Sequence, residues 1–381
     1  MKLKQKILLP FAVLFAFTGI ITSCIKSEEP NAEADILTCT VSPEGILKRE
    51  PTIGNSDILL MIKRDTDLSK ISLDFTLTEG ATIDPPSGKI QSFIYPQQYT
   101  VTSEDKKWKK TYTVRAVTDI ITTYQFEETI KTQENQNYHT LIERDRAGNV
   151  NILWASGNAG FSLTGTTTDP ELYPTVHASS GYKGNCVKLT TRSTGKFGKD
   201  IGLPIAAGNL FLGTFNAVEA LKNPLSATLF GLPFDKLPTR LTGYYKYQRG
   251  KEFLVLDPET KEQTPDPNRK DICDIYGVFY ETDENFKSLD GSNSLTHPNI
   301  VALARIKDAK ETSTWTSFDL EFEYGNEYKP IDYNKVKNGD YNIAIVFTSS
   351  IDGHLFNGAI GSTLYIDEVE LEYEDLPISS N

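Results

Sequence analysis

Trp315-Thr316-Ser317-Phe318-Asp319-Leu320-Glu321-Phe322-Glu323-Tyr324 decides the fold class. In an extended chain Phe318, Leu320, Phe322 and Tyr324 share one face, and Asp319, Glu321 and Glu323 share the other. That period of two belongs to a strand with one side on a core and one in water. A helix would instead repeat its apolar residues three and four apart. Downstream, Tyr341–Thr348 gathers Tyr341, Ile343, Ile345 and Phe347 against Asn342, Ala344, Val346 and Thr348, and Leu364–Tyr373 reads as a closing strand. One helix is expected over Asn209–Lys222, where Phe211, Phe215, Val218 and Leu221 fall near one face and Asn223-Pro224 stops it. Leu225–Leu237 reads as a binding lid or as a loop packed over the end of a sandwich, and Asp257–Asp271 as an exposed loop.

The same strand pattern, at closer spacing, runs from Ala34 to Thr118. Ile58–Ile62 is a continuous apolar run, Ile71–Leu77 alternates strictly, and Tyr99–Thr102 with Tyr112–Ala116 forms a hairpin whose tip carries Trp108. Trp108 could stack on a ligand or pack on its neighbouring strand. Regular short strands over this length point to an immunoglobulin-like sandwich. The longer region after it suits a larger jelly roll. At 381 residues, two or three domains are expected. With 39% hydrophobic and 24% charged residues the composition is that of a globular protein. Thirty-nine Lys and Arg against 51 Asp and Glu give a net charge of −12, which repels phosphate and argues against a nucleic-acid partner.

Residues 1–23 read as a secretory signal, with Lys2, Lys4 and Lys6 preceding an apolar segment too short to span a bilayer. Ile21-Thr22-Ser23-Cys24 resembles a bacterial lipobox, which makes Cys24 the lipidation site and the membrane a partner through the acyl anchor. Ser27-Glu28-Glu29 resembles the acidic export signal of Bacteroidetes-type surface lipoproteins, so outer-membrane attachment and surface exposure are expected. The organisation is then signal 1–23, tether 24–33, immunoglobulin-like domain 34–118, jelly roll 119–376 and tail 377–381. Cys39, Cys186 and Cys273 are an odd, widely spaced set without CxxC, which reads as buried thiols and not as disulfides or structural zinc.

Gly80–Gly88, Tyr99–Asp105 and Lys110–Val114 resemble the immunoglobulin-like modules of those lipoproteins, which implies a spacer. Ala207–Gly213, Gly243–Tyr247 and Gly358–Val369 resemble the family called putative carbohydrate metabolism domain. That resemblance implies a carbohydrate-binding jelly roll, a polysaccharide or glycan as ligand, and no defined reaction.

Sugar recognition needs aromatic faces and planar polar groups. Alternation puts Arg240, Thr242, Tyr244 and Lys246 on one face of their strand, and Asp274, Tyr276, Val278 and Tyr280 on one face of another. If those faces share a concave sheet, Arg240, Tyr244, Lys246, Asp274, Tyr276 and Tyr280 line one groove. Trp154, before a loop, is a further stacking candidate, with a core position as the alternative. Asp367 shares a face with Tyr365, Val369, Leu371 and Tyr373, where a carboxylate is costly unless paired or metal-bound. The jelly-roll resemblance implies that Glu127 and Asp367 could hold a structural Ca²⁺, the alternative being arginine or backbone amides. No other cofactor is indicated. His139, His177, His297 and His354 lack zinc spacing, and no GxSxG or phosphate loop occurs. The expected function is glycan capture for uptake or degradation partners without a covalent step. The alternatives are a glycoside hydrolase and a structural or adhesive surface protein.

Overall fold

The computed structural model describes residues 30–63, 66–133 and 135–376. The expected signal sequence, Cys24 and tail 377–381 lie outside those residues. The protein is all-β, built as two sandwiches. In the first, Ile36–Ser42, Ile71–Leu77 and Ile90–Gln91 form one sheet. Thr52–Ile53, Asp57–Met61, Lys109–Val117, Gln97–Thr102 and Thr82–Asp84 form the other. Ile58, Leu60, Leu73, Tyr99, Tyr112 and Val114 pack between them. Asp57–Met61 runs parallel to Lys109–Val117.

That parallel strand explains the unbroken apolar run. Ile58 and Leu60 point into the first core, while Leu59 and Met61 join the core of the second sandwich. A strand buried on both faces has no polar side to show. Arg115, 3% exposed, reinforces the junction: its guanidinium donates to the Asn151 carbonyl and pairs with Asp57 at 3.3 Å. Lys48 Nζ bridges Asp119 at 3.1 Å and Asp235 at 2.9 Å. The first sandwich is therefore fastened to the second and does not hang from it. Trp108, at the hairpin tip, is 63% exposed.

The second sandwich has two six-stranded sheets. The first runs Thr175–Ser179, Asn185–Thr190, Thr363–Glu374, Leu237–Gln248, Thr312–Glu321, with Thr123–Tyr124 beside Thr363–Glu374. The second runs Asn209–Phe211, Tyr341–Thr348, Asp274–Glu281, Ile300–Arg305, Glu323–Tyr324, with Leu232–Pro233 beside Tyr341–Thr348. Leu241, Tyr245, Tyr247 and Ile366 of the first sheet meet Ile275, Phe279, Ile345 and Phe347 of the second. The segment Trp315–Tyr324 crosses between the sheets. Phe318 and Phe322 are buried, but Glu323–Tyr324 pairs with Ala302 and Leu303 in the second sheet. Tyr324, expected on the core face, is consequently 42% exposed.

The expected Asn209–Lys222 helix is only its last turn and a half. Asn209–Phe211 and Gly213–Phe215 are strands, and the helix is Ala217–Lys222, capped by Asn216 Oδ1 on the Val218 and Glu219 amides. Pairing of Asn209–Phe211 with the 341–348 strand overrides the helical spacing. Asp257–Asp271 supplies the turn and second strand of a short hairpin, Leu254–Leu256 with Gln263–Pro265, and Asp271 is buried. Asp271 Oδ2 accepts hydrogen bonds from Ser350 Oγ (2.6 Å), Ser362 Oγ (2.6 Å) and the Ala359 amide (2.7 Å). Cys39, Cys186 and Cys273 are buried free thiols. No helix among the described residues is long and apolar enough to cross a membrane.

Candidate functional site

The outer face of the second sheet is covered. Alternation along Tyr341–Thr348 turns Ala344 and Val346 outward, and along Asp274–Glu281 it turns Tyr276, Val278 and Tyr280 outward. Phe211, Phe230 and Leu289 from the connecting segments pack on them. Toward the 274 and 348 ends, where Asp274 faces Thr348 and Tyr276 faces both Val346 and Arg305, the cover lifts off the sheet. A cavity of about 440 Å³ opens there, within the size range of small-molecule sites.

Its floor carries Asp274, Tyr276, Arg305, Val346 and Thr348. Phe161, Phe215, Ser292, Ser294, Asp352 and His354 line the cavity as well. Pro224, Leu225, Thr228 and Phe230 also line it, so the Leu225–Leu237 segment covers the site with its first half. Arg305 grips Asp274 as a fork: Nε lies 3.1 and 3.0 Å from the two carboxylate oxygens, and the second nitrogen contact is 2.7 Å. Burial pushes the Asp274 carboxyl above the usual carboxylate range against the pull of Arg305. Asp352 pairs with Arg269, whose guanidinium lies over the Phe253 ring. Tyr276 Oη donates to Ser294 Oγ at 3.4 Å, and burial pushes its phenol up. The cavity thus combines aromatic surface, hydroxyl groups and two carboxylates fixed by arginines.

The expected six-residue groove does not form. Asp274 and Tyr276 line the cavity, but Arg240, Tyr244 and Lys246 stand on the outer face of the other sheet. The physical reason is that alternation tells which face of a strand is apolar, not which sheet owns the strand. Leu241 and Tyr245 enter the shared core from one side, Ile275 and Phe279 from the other. The polar faces therefore point in opposite directions. Tyr280 is fully buried beneath the cover, donating to the Phe230 carbonyl and accepting from Asn342 Nδ2 at 2.9 Å. Burial pushes its phenol up to about 12. Trp154, 2% exposed, packs among Tyr124, Phe126 and Phe347, with ring centroids 5.1, 5.4 and 6.1 Å away. It is a core residue, because the strand before it, Val150–Leu153, carries it inward.

Glu127 and Asp367 do converge, on the turn between the 175–179 and 185–190 strands. Glu127 accepts from the Asn185 amide at 3.1 and 3.2 Å and from Asn185 Nδ2 at 2.8 Å. Asp367, fully buried, accepts from the Lys183 amide at 2.9 Å and the Glu368 amide at 2.8 Å. Amide donors thus occupy both carboxylates. No group of three or more His, Cys, Asp or Glu suited to a metal gathers among the described residues. A calcium cage needs six to eight oxygens, of which these two carboxylates could supply at most four.

Arg305 and Asp352 were missed by sequence reasoning. Arg305 ends the apolar run Ile300–Ala304, and an arginine closing such a strand was the available signal. Asp352, Ser292 and Ser294 lie in connections, where no periodicity marks them.

Residues 125–372 match the family described as putative carbohydrate metabolism domain. The chain belongs to that family. Every residue lining the cavity falls inside this carbohydrate metabolism domain. Residues 44–116 match the family described as SGBP, N-terminal. A crystal structure of a putative glycoside hydrolase from Bacteroides thetaiotaomicron is 50% identical, covering 92% of this chain and 99% of that one, with a TM-score of 0.83. A second, of a putative glycoside hydrolase from Bacteroides vulgatus, is 44% identical over 67% of this chain and 99% of that one, with a TM-score of 0.62. No curated protein matches the chain.

Proposed function

We propose that this protein captures a polysaccharide or glycan in the cavity on its second sheet and holds it without a covalent step. The observation that carries this reading is the floor itself: the Tyr276 ring beside the forked Arg305–Asp274 pair, walled by serine and threonine hydroxyls. A sugar presents C–H faces and a fan of hydroxyls. Aromatic surface takes the first, and fixed charged and hydroxyl groups take the second. The pattern around Cys24 supports a lipid-anchored, outer-membrane protein displayed on the cell surface, serving uptake or degradation partners.

The second reading, glycoside hydrolysis, is favoured by the presence of Asp274 and Asp352 in one cavity and by the two similar crystal structures described as putative glycoside hydrolases. A hydrolase of the usual kind needs one protonated carboxyl as general acid. Here Arg269 holds Asp352 and the Arg305 fork holds Asp274 in ion pairs, so although burial raises the Asp274 carboxyl, neither group stands free to reach a leaving group. Binding is the better account.

The test is a glycan-array screen of the full chain, followed by calorimetry on the hits. A selective glycan whose affinity collapses in Tyr276→Ala and Arg305→Lys supports the cavity. A flat array, or hits indifferent to both substitutions, removes it. Release of reducing ends that stops in Asp274→Asn or Asp352→Asn would establish the hydrolase reading.

A further inference from the structure

The opposite side of the same sandwich carries an exposed strip that the cavity does not use. Tyr182, in the turn after Thr175–Ser179, is 50% exposed and lies flat on Tyr244, with ring centroids 3.6 Å apart and planes 9° from parallel. Two residues along the same face, Lys246 Nζ sits 4.4 Å above the Trp315 ring and 4.8 Å from the Tyr365 ring. Lys188 Nζ reaches the same Tyr365 ring at 5.9 Å. Strand pairing fixes this order, since Lys188 and Lys246 both stand opposite Tyr365 on adjoining strands.

The charge is out of keeping with the rest of the chain, whose net charge is −12. Among the described residues no ion pair includes Lys188 or Lys246, whereas Arg240 at the far end of the same strand closes on Asp319. These two ammonium groups rest on rings and stay available to an anion. Flat aromatic faces beside unneutralised cations match a chain of sugar rings that carry carboxylates.

We infer that the outer face of the first sheet, through Tyr182, Tyr244, Trp315, Tyr365, Lys188 and Lys246, is a second glycan surface that takes an acidic, uronate-bearing polysaccharide. The rings stack on Tyr182 and Trp315, and the carboxylates meet Lys188 and Lys246. The hydrophobic core separates this face from the cavity, so the two bind independently.

The test is affinity electrophoresis of the full chain in gels containing polygalacturonate or its fully methyl-esterified, neutral counterpart. The expected result is retardation by polygalacturonate only, weakening with added salt. Lys246→Met and Lys188→Met each weaken it about tenfold, Tyr182→Ala weakens it severalfold, and Arg305→Lys leaves it unchanged. The surface substitutions are checked for an unchanged melting curve. Absence of retardation, equal retardation by the esterified polymer, or indifference to Lys246→Met would overturn the proposal. So would equal retardation by dextran sulfate with Tyr182→Ala silent, which is bare charge attraction, or preferential binding to vesicles containing phosphatidylserine. Loss in Arg305→Lys would overturn the independence of the two sites.

Discussion

Arg305→Met removes the only side-chain partner, among the described residues, of the Asp274 carboxylate, which is 4% exposed with Arg305 in place. The Ile275 amide, at 3.0 Å, is what remains to it. Removing one partner of a buried ion pair costs about 3–5 kcal/mol. Arg305 itself is 33% exposed, so part of the attraction is already screened, and we expect about 2–4 kcal/mol at neutral pH. The sign with pH follows from the carboxyl. Burial holds it above its ordinary range even with Arg305 present, and loss of the cation raises it further. An acid with a higher pKa folded than unfolded opposes folding while ionised. That penalty fades as pH falls through the folded pKa and is gone below the unfolded value of about 4. The deficit of Arg305→Met should therefore be largest near neutrality and shrink on acidification, and Asp274→Asn in the same chain should recover most of it. Denaturant unfolding at several pH values, followed by fluorescence of the buried Trp154, measures this. A loss under about 1 kcal/mol, a deficit that widens toward acid, or no rescue by Asp274→Asn would refute the reasoning.

Trp154→Ala should cost about 3–5 kcal/mol, because it empties the centre of the Tyr124, Phe126 and Phe347 cluster; a change under about 1 kcal/mol in denaturant unfolding would favour the stacking role that the sequence also allowed. Gly208→Ala should destabilise by more than about 3 kcal/mol, since a Cβ would lie 2.2 Å from the Thr190 nitrogen and 2.5 Å from the Pro174 oxygen, neither of which can swing away. A normal melting temperature for that variant would show that the strands there have slack.

Residue order alone determined the class of the fold. Strict alternation in Ile71–Leu77 reads as a strand with two unlike faces, and the two-residue period of Tyr341–Thr348 reads as a strand as well; both are strands here. The continuous apolar run at Ile58–Ile62 was equally legible, and its second buried face is the seam between the sandwiches. The helical spacing over Asn209–Lys222 misled, because edge pairing with the 341–348 strand outweighs local preference. Half the candidate site was legible too: Asp274 and Tyr276 share a face, and that face lines the cavity. Their separation from Tyr244 and Lys246 was not, because a strand's own pattern contains no term for the sheet it joins. That choice rests on pairings between distant segments, Asp274–Glu281 with Tyr341–Thr348 and Leu237–Gln248 with Thr363–Glu374. Arg305 met Asp274 by the same route, across a strand pair that only the folded chain brings together.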